Sequence, residues 1–187
     1  MNIFSILKKA FTRKRYYDSA LFYHEDDYCQ IELSPIENLP YFGSESKEIA
    51  ETANRSSDGH GFKEIHVRRG SKLELEERKI SPTDLEKIIQ ITGLPKATSV
   101  LTGYGQSYRE KSKNTIGFGK DYNAVYFDFK DAVVQHIWFT NPSIIDKEKL
   151  SECLFQLGKQ WNLVLMDWNE LTPINLNNKS EIEKYLT

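Results

Sequence analysis

The sequence predicts an α+β fold, mostly antiparallel sheet with helices packed on one face, and three observations carry that expectation. Asn123 to Thr140, NAVYFDFKDAVVQHIWFT, is two runs of branched and aromatic residues parted only by Lys130-Asp131-Ala132, the pattern of a central hairpin. Asn162 to Trp168, NLVLMDW, is nearly all apolar, as an interior strand covered on both faces should be. Between and before these lie segments of helical spacing, such as Leu150, Cys153, Leu154 and Leu157.

A chain of 187 residues, 39% hydrophobic and 28% charged, suits a single domain over 1–187 with a real core. Subdomains over 18–80 and 97–170 are the alternative division. The net charge of −2 conceals an acidic stretch: residues 21–61 carry nine acidic and two basic side chains. Such a stretch attracts cationic partners and speeds encounter. Cys29 and Cys153 belong to no CxxC pair, and both read as free core thiols of a reducing compartment. No export signal and no run of the roughly 20 apolar residues that span a bilayer is visible, so the cytoplasm is the expected location and no integral membrane segment is expected.

Taken in order, Ile3, Phe4, Ile6, Leu7, Ala10 and Phe11 predict an amphipathic helix over 2–12 with a basic tail through Arg15. Ser19 to Leu33 predicts a second hairpin turned at His24-Glu25-Asp26-Asp27. It would bury Ala20, Phe22, Cys29, Ile31 and Leu33 and leave Leu21, Tyr23, Tyr28, Gln30 and Glu32 on the opposite side. Pro35 and Pro40 break the pattern, and a helix capped by Ser44 or Ser46 runs to about Ser56. A turn at Asp58 to Gly61 and a strand over Phe62 to Arg68 follow. LELEERK is open between strand and helix. Ser81 as N-cap and Pro82 at the first position start a helix that Gly93 and Pro95 stop, and Ala97 to Leu101 is one more strand. Residues 102–121 form the longest polar, glycine-rich segment, expected as a loop. After the central hairpin, Asn141-Pro142 opens a helix, 171–178 is a loop, and Lys179 to Leu186 a short closing helix. In the hairpin, loop parity puts Val125, Phe127, Phe129, Val133, Ile137 and Phe139 on the core face. Ala124, Tyr126, Asp128, Val134, His136 and Trp138 take the other. The order strand, turn, strand, helix, strand occurs twice, which suggests a ββαβ pseudo-repeat.

The motifs of catalysis are missing. The two GxG pairs, at Gly103 and Gly117, lack the spacing of a phosphate-binding loop, and no GxSxG, HExxH or zinc-finger spacing occurs. No catalytic residue, metal ligand set or cofactor is expected, and the acidic balance argues against a nucleic-acid partner. Acidic and aromatic residues together fit a protein binder, since Tyr and Trp are large anchors and carboxylates steer.

MNIFSILKKAF leading into YYDSALFYHEDDYCQIEL, and the late IWFTNP, helix and NLVLMDW arrangement, resemble the immunity proteins of bacterial polymorphic toxin systems, including those of contact-dependent inhibition. The resemblance implies a non-enzymatic protein that binds and neutralises one cognate toxin domain, often a nuclease, by covering its active site or an adjacent surface. Glu25, Asp26, Asp27 and Glu32 with Tyr23 and Tyr28 are then the first candidate contact surface, and Tyr126, His136 and Trp138 the second. Two other readings stay open: a nucleic-acid or membrane-surface accessory protein using the basic arm Lys8 to Arg15, and a small enzyme with its site in the 103–120 segment.

Overall fold

A computed structural model describes residues 19–56, 66–70, 72–105 and 108–187. The expected helix over 2–12, the basic arm, the turn at 58–61 and most of the strand over 62–68 lie outside these residues. The strands in chain order are β1 (Ala20–His24), β2 (Ile31–Pro35), β3 (Ser99–Gly105), β4 (Tyr108–Lys111), β5 (Thr115–Lys120), β6 (Asn123–Lys130), β7 (Val133–Thr140), β8 (Leu163–Asp167) and β9 (Thr172–Asn175). The helices are α1 (Leu39–Ser56), α2 (Pro82–Ile89), α3 (Lys147–Trp161) and α4 (Lys179–Tyr185). The fold is α+β. Strands assemble as a six-stranded sheet in the order β5-β6-β7-β2-β8-β9 and a three-stranded sheet in the order β1-β3-β4.

The central hairpin forms as β6 and β7, and its turn is tighter than expected. Asp131 and Ala132 alone make it, both at positive φ (50° and 60°), as a two-residue hairpin turn of matching twist requires. Such a turn would reverse the expected faces, but a β-bulge restores them: Asp128 pairs with His136 while Phe129 pairs with Val134. Val125 and Phe127 therefore share a face with Ile137 and Phe139, and Val134 replaces Val133 in the core.

The second expected hairpin is not one. β1 pairs with β3, parallel, and β2 inserts between β7 and β8 of the other sheet. Residues 25–30 are a crossover between sheets, so the buried side of β1 is Leu21 and Tyr23, not Ala20 and Phe22. The proposed ββαβ repeat fails for the same reason, and segments 18–80 and 97–170 contribute to one shared sheet.

Three packed regions hold the body together. On one face of the large sheet Val125, Phe127, Ile137, Phe139, Leu33 and Leu165 meet Leu85 and Ile89 of α2 and Leu150, Leu154 and Leu157 of α3. On the other face the small sheet covers Ala124, Tyr126 and Trp138 with Leu21, Tyr23 and Val100. Beside it, Phe42 of α1 covers Val164, Met166 and Trp168. Helices thus lie on both faces, which corrects the one-sided expectation.

Several boundaries move for local reasons. α1 begins at Leu39, with Pro40 inside its first turn, where a missing backbone N–H costs nothing. Ser81 caps α2 as predicted, its Oγ accepting from the Asp84 N–H at 3.1 Å. LELEERK forms only a 3₁₀ turn, Leu75–Arg78. A 3₁₀ turn also follows Asn141, and α3 starts later, capped by Asp146. The loop expected at 171–178 contains the edge strand β9.

The described part of the glycine-rich 102–121 segment is mostly strand, the end of β3 with β4 and β5, where a loop was expected. At Gly103 (φ 146°) a Cβ would sit 2.1 Å from the Tyr108 carbonyl oxygen across the β3–β4 hairpin. A Cβ on Gly117 would press on Leu21 and the Tyr126 ring at about 3 Å, so the absent side chain lets the small sheet settle on the large one. Among the described residues no helix is long and apolar enough to cross a membrane.

Candidate functional site

The crossover between the two sheets carries the acidic group. Glu25–Asp27 is a single 3₁₀ turn. His24 Nδ1 accepts from the Asp26 N–H (3.2 Å), and Asp27 Oδ2 accepts from the His24 N–H (3.1 Å), a reciprocal cap that satisfies two free donors. The Tyr28 and Gln30 N–H groups donate to the Glu25 and Asp27 carbonyls.

Two tyrosines that the sequence did not single out bracket this turn. Tyr104 stands at the end of β3, and interaction with the Glu25 carboxylate is the main reason its hydroxyl titrates above the ordinary tyrosine range. Tyr122 stands in the β5–β6 turn; burial, with the Asp27 carboxylate second, pushes its hydroxyl up to about 12. Tyr104 is 66% exposed, Tyr108 beside it 59% and Tyr122 46%. His24 meets Tyr104 edge-on at 5.9 Å, and Tyr104 lies 6.5 Å from Tyr108. Asp26 and Asp27 also line a surface cleft of about 1140 Å³ whose remaining charged side chains are Lys147, Asp167 and Glu170. Four carboxylates against one ammonium make it a place for positive charge.

Of the residues expected at a contact surface, Tyr23, Tyr126 and Trp138 are not available to one. They are buried between the sheets, Trp138 and Tyr126 stacked at 5.4 Å and Tyr23 edge-on to both at 5.3 Å. The small sheet was not foreseen as their cover, and this corrects both the exposure expected for Tyr23 and Tyr126 and the second candidate surface. Glu32 is no part of the turn either: its Oε1 accepts from the Trp168 indole N–H at 2.6 Å, and burial raises its pKa.

Tyr28, Glu32 and His136 come together instead at a seam, where the small sheet ends and α1 has not begun to cover the large one. Asp128, which the sequence placed on this face without a role, is its hub. Its carboxylate accepts from the Tyr28 hydroxyl (2.8 Å), the His136 N–H (2.9 Å) and His136 Nδ1 (3.0 Å). The Tyr28 oxygen also lies 2.8 Å from His136 Nδ1. A carboxylate can only accept, so Nδ1 carries the proton and Nε2 is left to titrate. The bond to Asp128 raises the His136 pKa against the opposing effect of burial, with Glu32 and Glu74 adding to the rise. Burial, then nearby Cys29 and Asp128, hold the Tyr28 hydroxyl far above its ordinary range.

A pH dependence of stability follows, with a fixed sign. A histidine whose pKa is higher folded than unfolded stabilises the fold fully below about pH 6.5, and loses that contribution as pH rises through the folded value. Glu32, raised by burial, acts in the same direction from about pH 4.3 upward. Glu45, lowered overall by its His66 and Arg69 partners, opposes this below the carboxylate range. The His136 side chain is 43% exposed, so its share should stay below about 1 kcal/mol. Urea melts of the protein and of His136→Asn between pH 5.5 and 8.5 should show a steeper decline in the former, the difference being the His136 share.

The other polar clusters are structural. Glu45 occupies an inward position of α1, where His66 Nε2 (3.1 Å), the Arg69 N–H (3.4 Å) and the Arg69 guanidinium (3.9 Å) neutralise it. With Glu48 these side chains place three potential metal-ligand atoms within 4.8 Å of one another. Arg69 already pairs with both carboxylates, at 3.9 and 3.2 Å, and supplies the positive charge. Arg68 stacks over the Trp168 ring at 4.5 Å. The neighbouring basic side chains Arg68 and Arg69 are thus both engaged within the protein. Both cysteines are free, Cys153 in the core and Cys29 half-buried at φ 54°. No protein-family model, no curated protein and no solved structure was found to match this chain.

Proposed function

We propose that the protein is a non-enzymatic immunity protein that binds a cognate bacterial toxin domain in the cytoplasm and blocks it. One observation supports this above the others. Glu25, Asp26 and Asp27 stand on one capped turn, near exposed Tyr104 and Tyr122, and Asp26 and Asp27 line an acidic cleft. Tyrosine anchors around clustered carboxylates are what a surface for a basic macromolecule needs: ring area for affinity, charge for steering. A nuclease domain, built to hold phosphates, would present the complementary charge.

The test is co-expression with the variable C-terminal domain of a toxin encoded beside this protein. Growth should be restored and the two chains should co-purify. If neither happens, the reading is wrong.

A further inference from the structure

The turn that bears the carboxylates is the crossover between two sheets, so something must hold it at one height above the body. Only part of that comes from the backbone, whose bonds within the turn are short-range. Tyr28 follows Asp27 directly, and its side chain runs back into the seam. Its ring packs on Trp138 at 4.8 Å and meets His136 at 5.5 Å, and its hydroxyl reaches Asp128 and His136 at 2.8 Å each. Asp128 and His136 are themselves paired across β6 and β7, in the central hairpin of the large sheet. The β-bulge between Asp128 and Phe129 lies beside this pair, and bulges re-aim side chains next to functional sites.

We propose that Tyr28, Asp128 and His136 are positioning residues that fix the acidic turn Glu25–Asp27 for a basic partner. The inference rests on the binding role given to the turn. A partner that meets an already ordered turn avoids the entropic cost of ordering it, which is how preorganisation raises affinity. Asp128 from β6 and Tyr28 from the crossover touch His136, and Glu32 from β2 and Glu74 ahead of the 3₁₀ turn at 75–78 act on it by charge. Asp128 touches it and Glu32 and Glu74 add negative charge, so the charged imidazole draws the cluster tighter than the neutral one. Charge-assisted hydrogen bonds are roughly twice as strong as neutral ones.

Amide hydrogen exchange, corrected for intrinsic rates, reads this without any partner. Tyr28→Phe keeps the ring and removes the hydroxyl. The amides of residues 25–30 should then exchange about five- to tenfold faster, the equivalent of one hydrogen bond, while those of β6 and β7 are unchanged. In the unaltered protein the same amides should lose protection as pH rises through the His136 titration. His136→Asn keeps a donor near the Nδ1 position but cannot titrate, so it should retain protection and abolish the pH dependence. A uniform rise in exchange throughout Tyr28→Phe would mean that Tyr28 only stabilises the fold. Unchanged exchange at 25–30 would mean that the turn holds itself. Either result overturns the inference and leaves the toxin-binding reading to its own co-expression test; conversely, failed rescue alongside the predicted exchange would leave the anchor and remove the toxin.

Discussion

Replacing Trp138 by alanine should lower the free energy of unfolding by about 3–5 kcal/mol, the range for a large aromatic cut from a core. Trp138 is fully buried where the sheets stack, in ring contact with Tyr23, Tyr28 and Tyr126. Its loss opens a cavity that neither sheet can close, because Gly117 already lets them approach as far as Leu21 and Tyr126 allow. Trp138→Phe should cost much less, about 1–2 kcal/mol. The indole Nε1 is buried without a hydrogen-bond partner, so phenylalanine gives up volume and no bond. Urea denaturation followed by circular dichroism checks both. A cost below about 1 kcal/mol for the alanine variant would contradict the stacking of the two sheets at this residue.

Reversing two charges of the turn, Glu25→Lys with Asp26→Lys, should cut the association rate with the toxin domain at least tenfold at low salt. Steering by a charged surface accounts for factors of that size and larger. Asp27 is left in place because it caps the turn. The unfolding midpoint should therefore move little, within the roughly 0.5 kcal/mol usual for surface changes. Added salt should slow association of the unaltered protein and leave the variant nearly unaffected. Stopped-flow or surface-immobilised binding at 20 and 200 mM salt measures this. Equal rates for the two proteins would move the contact surface elsewhere.

Much of this molecule was legible because it depends on neighbours in the chain. The Ser81-Pro82 start, the Leu150 to Leu157 stripe, the all-apolar β8 and the β6–β7 pair each follow from spacing, capping or alternation within a dozen residues. The acidic turn was legible too, as charge at a break between strands. Asp128 carried a faint signal: an acidic residue on the face of Tyr126, opposite His136. Tyr104 and Tyr122 carried none, because their place beside the turn depends on β3 lying against β1.

What escaped the sequence is what joins distant segments. Ala20–His24 was read as the partner of the next strand, since a short polar break between two alternating runs normally makes a hairpin. It pairs instead with Ser99–Gly105, parallel and far along the chain, and no local pattern encodes such a partner. That one choice decided the site: it laid a second sheet over Tyr126 and Trp138, turned Tyr23 inward and left Tyr28, Asp128 and His136 at the uncovered seam. The sequence by itself determined which segments become strands and helices and where negative charge gathers. Only the tertiary structure decided which aromatics are core and which are surface, because burial is a property of what lies above a face, not of the residue on it.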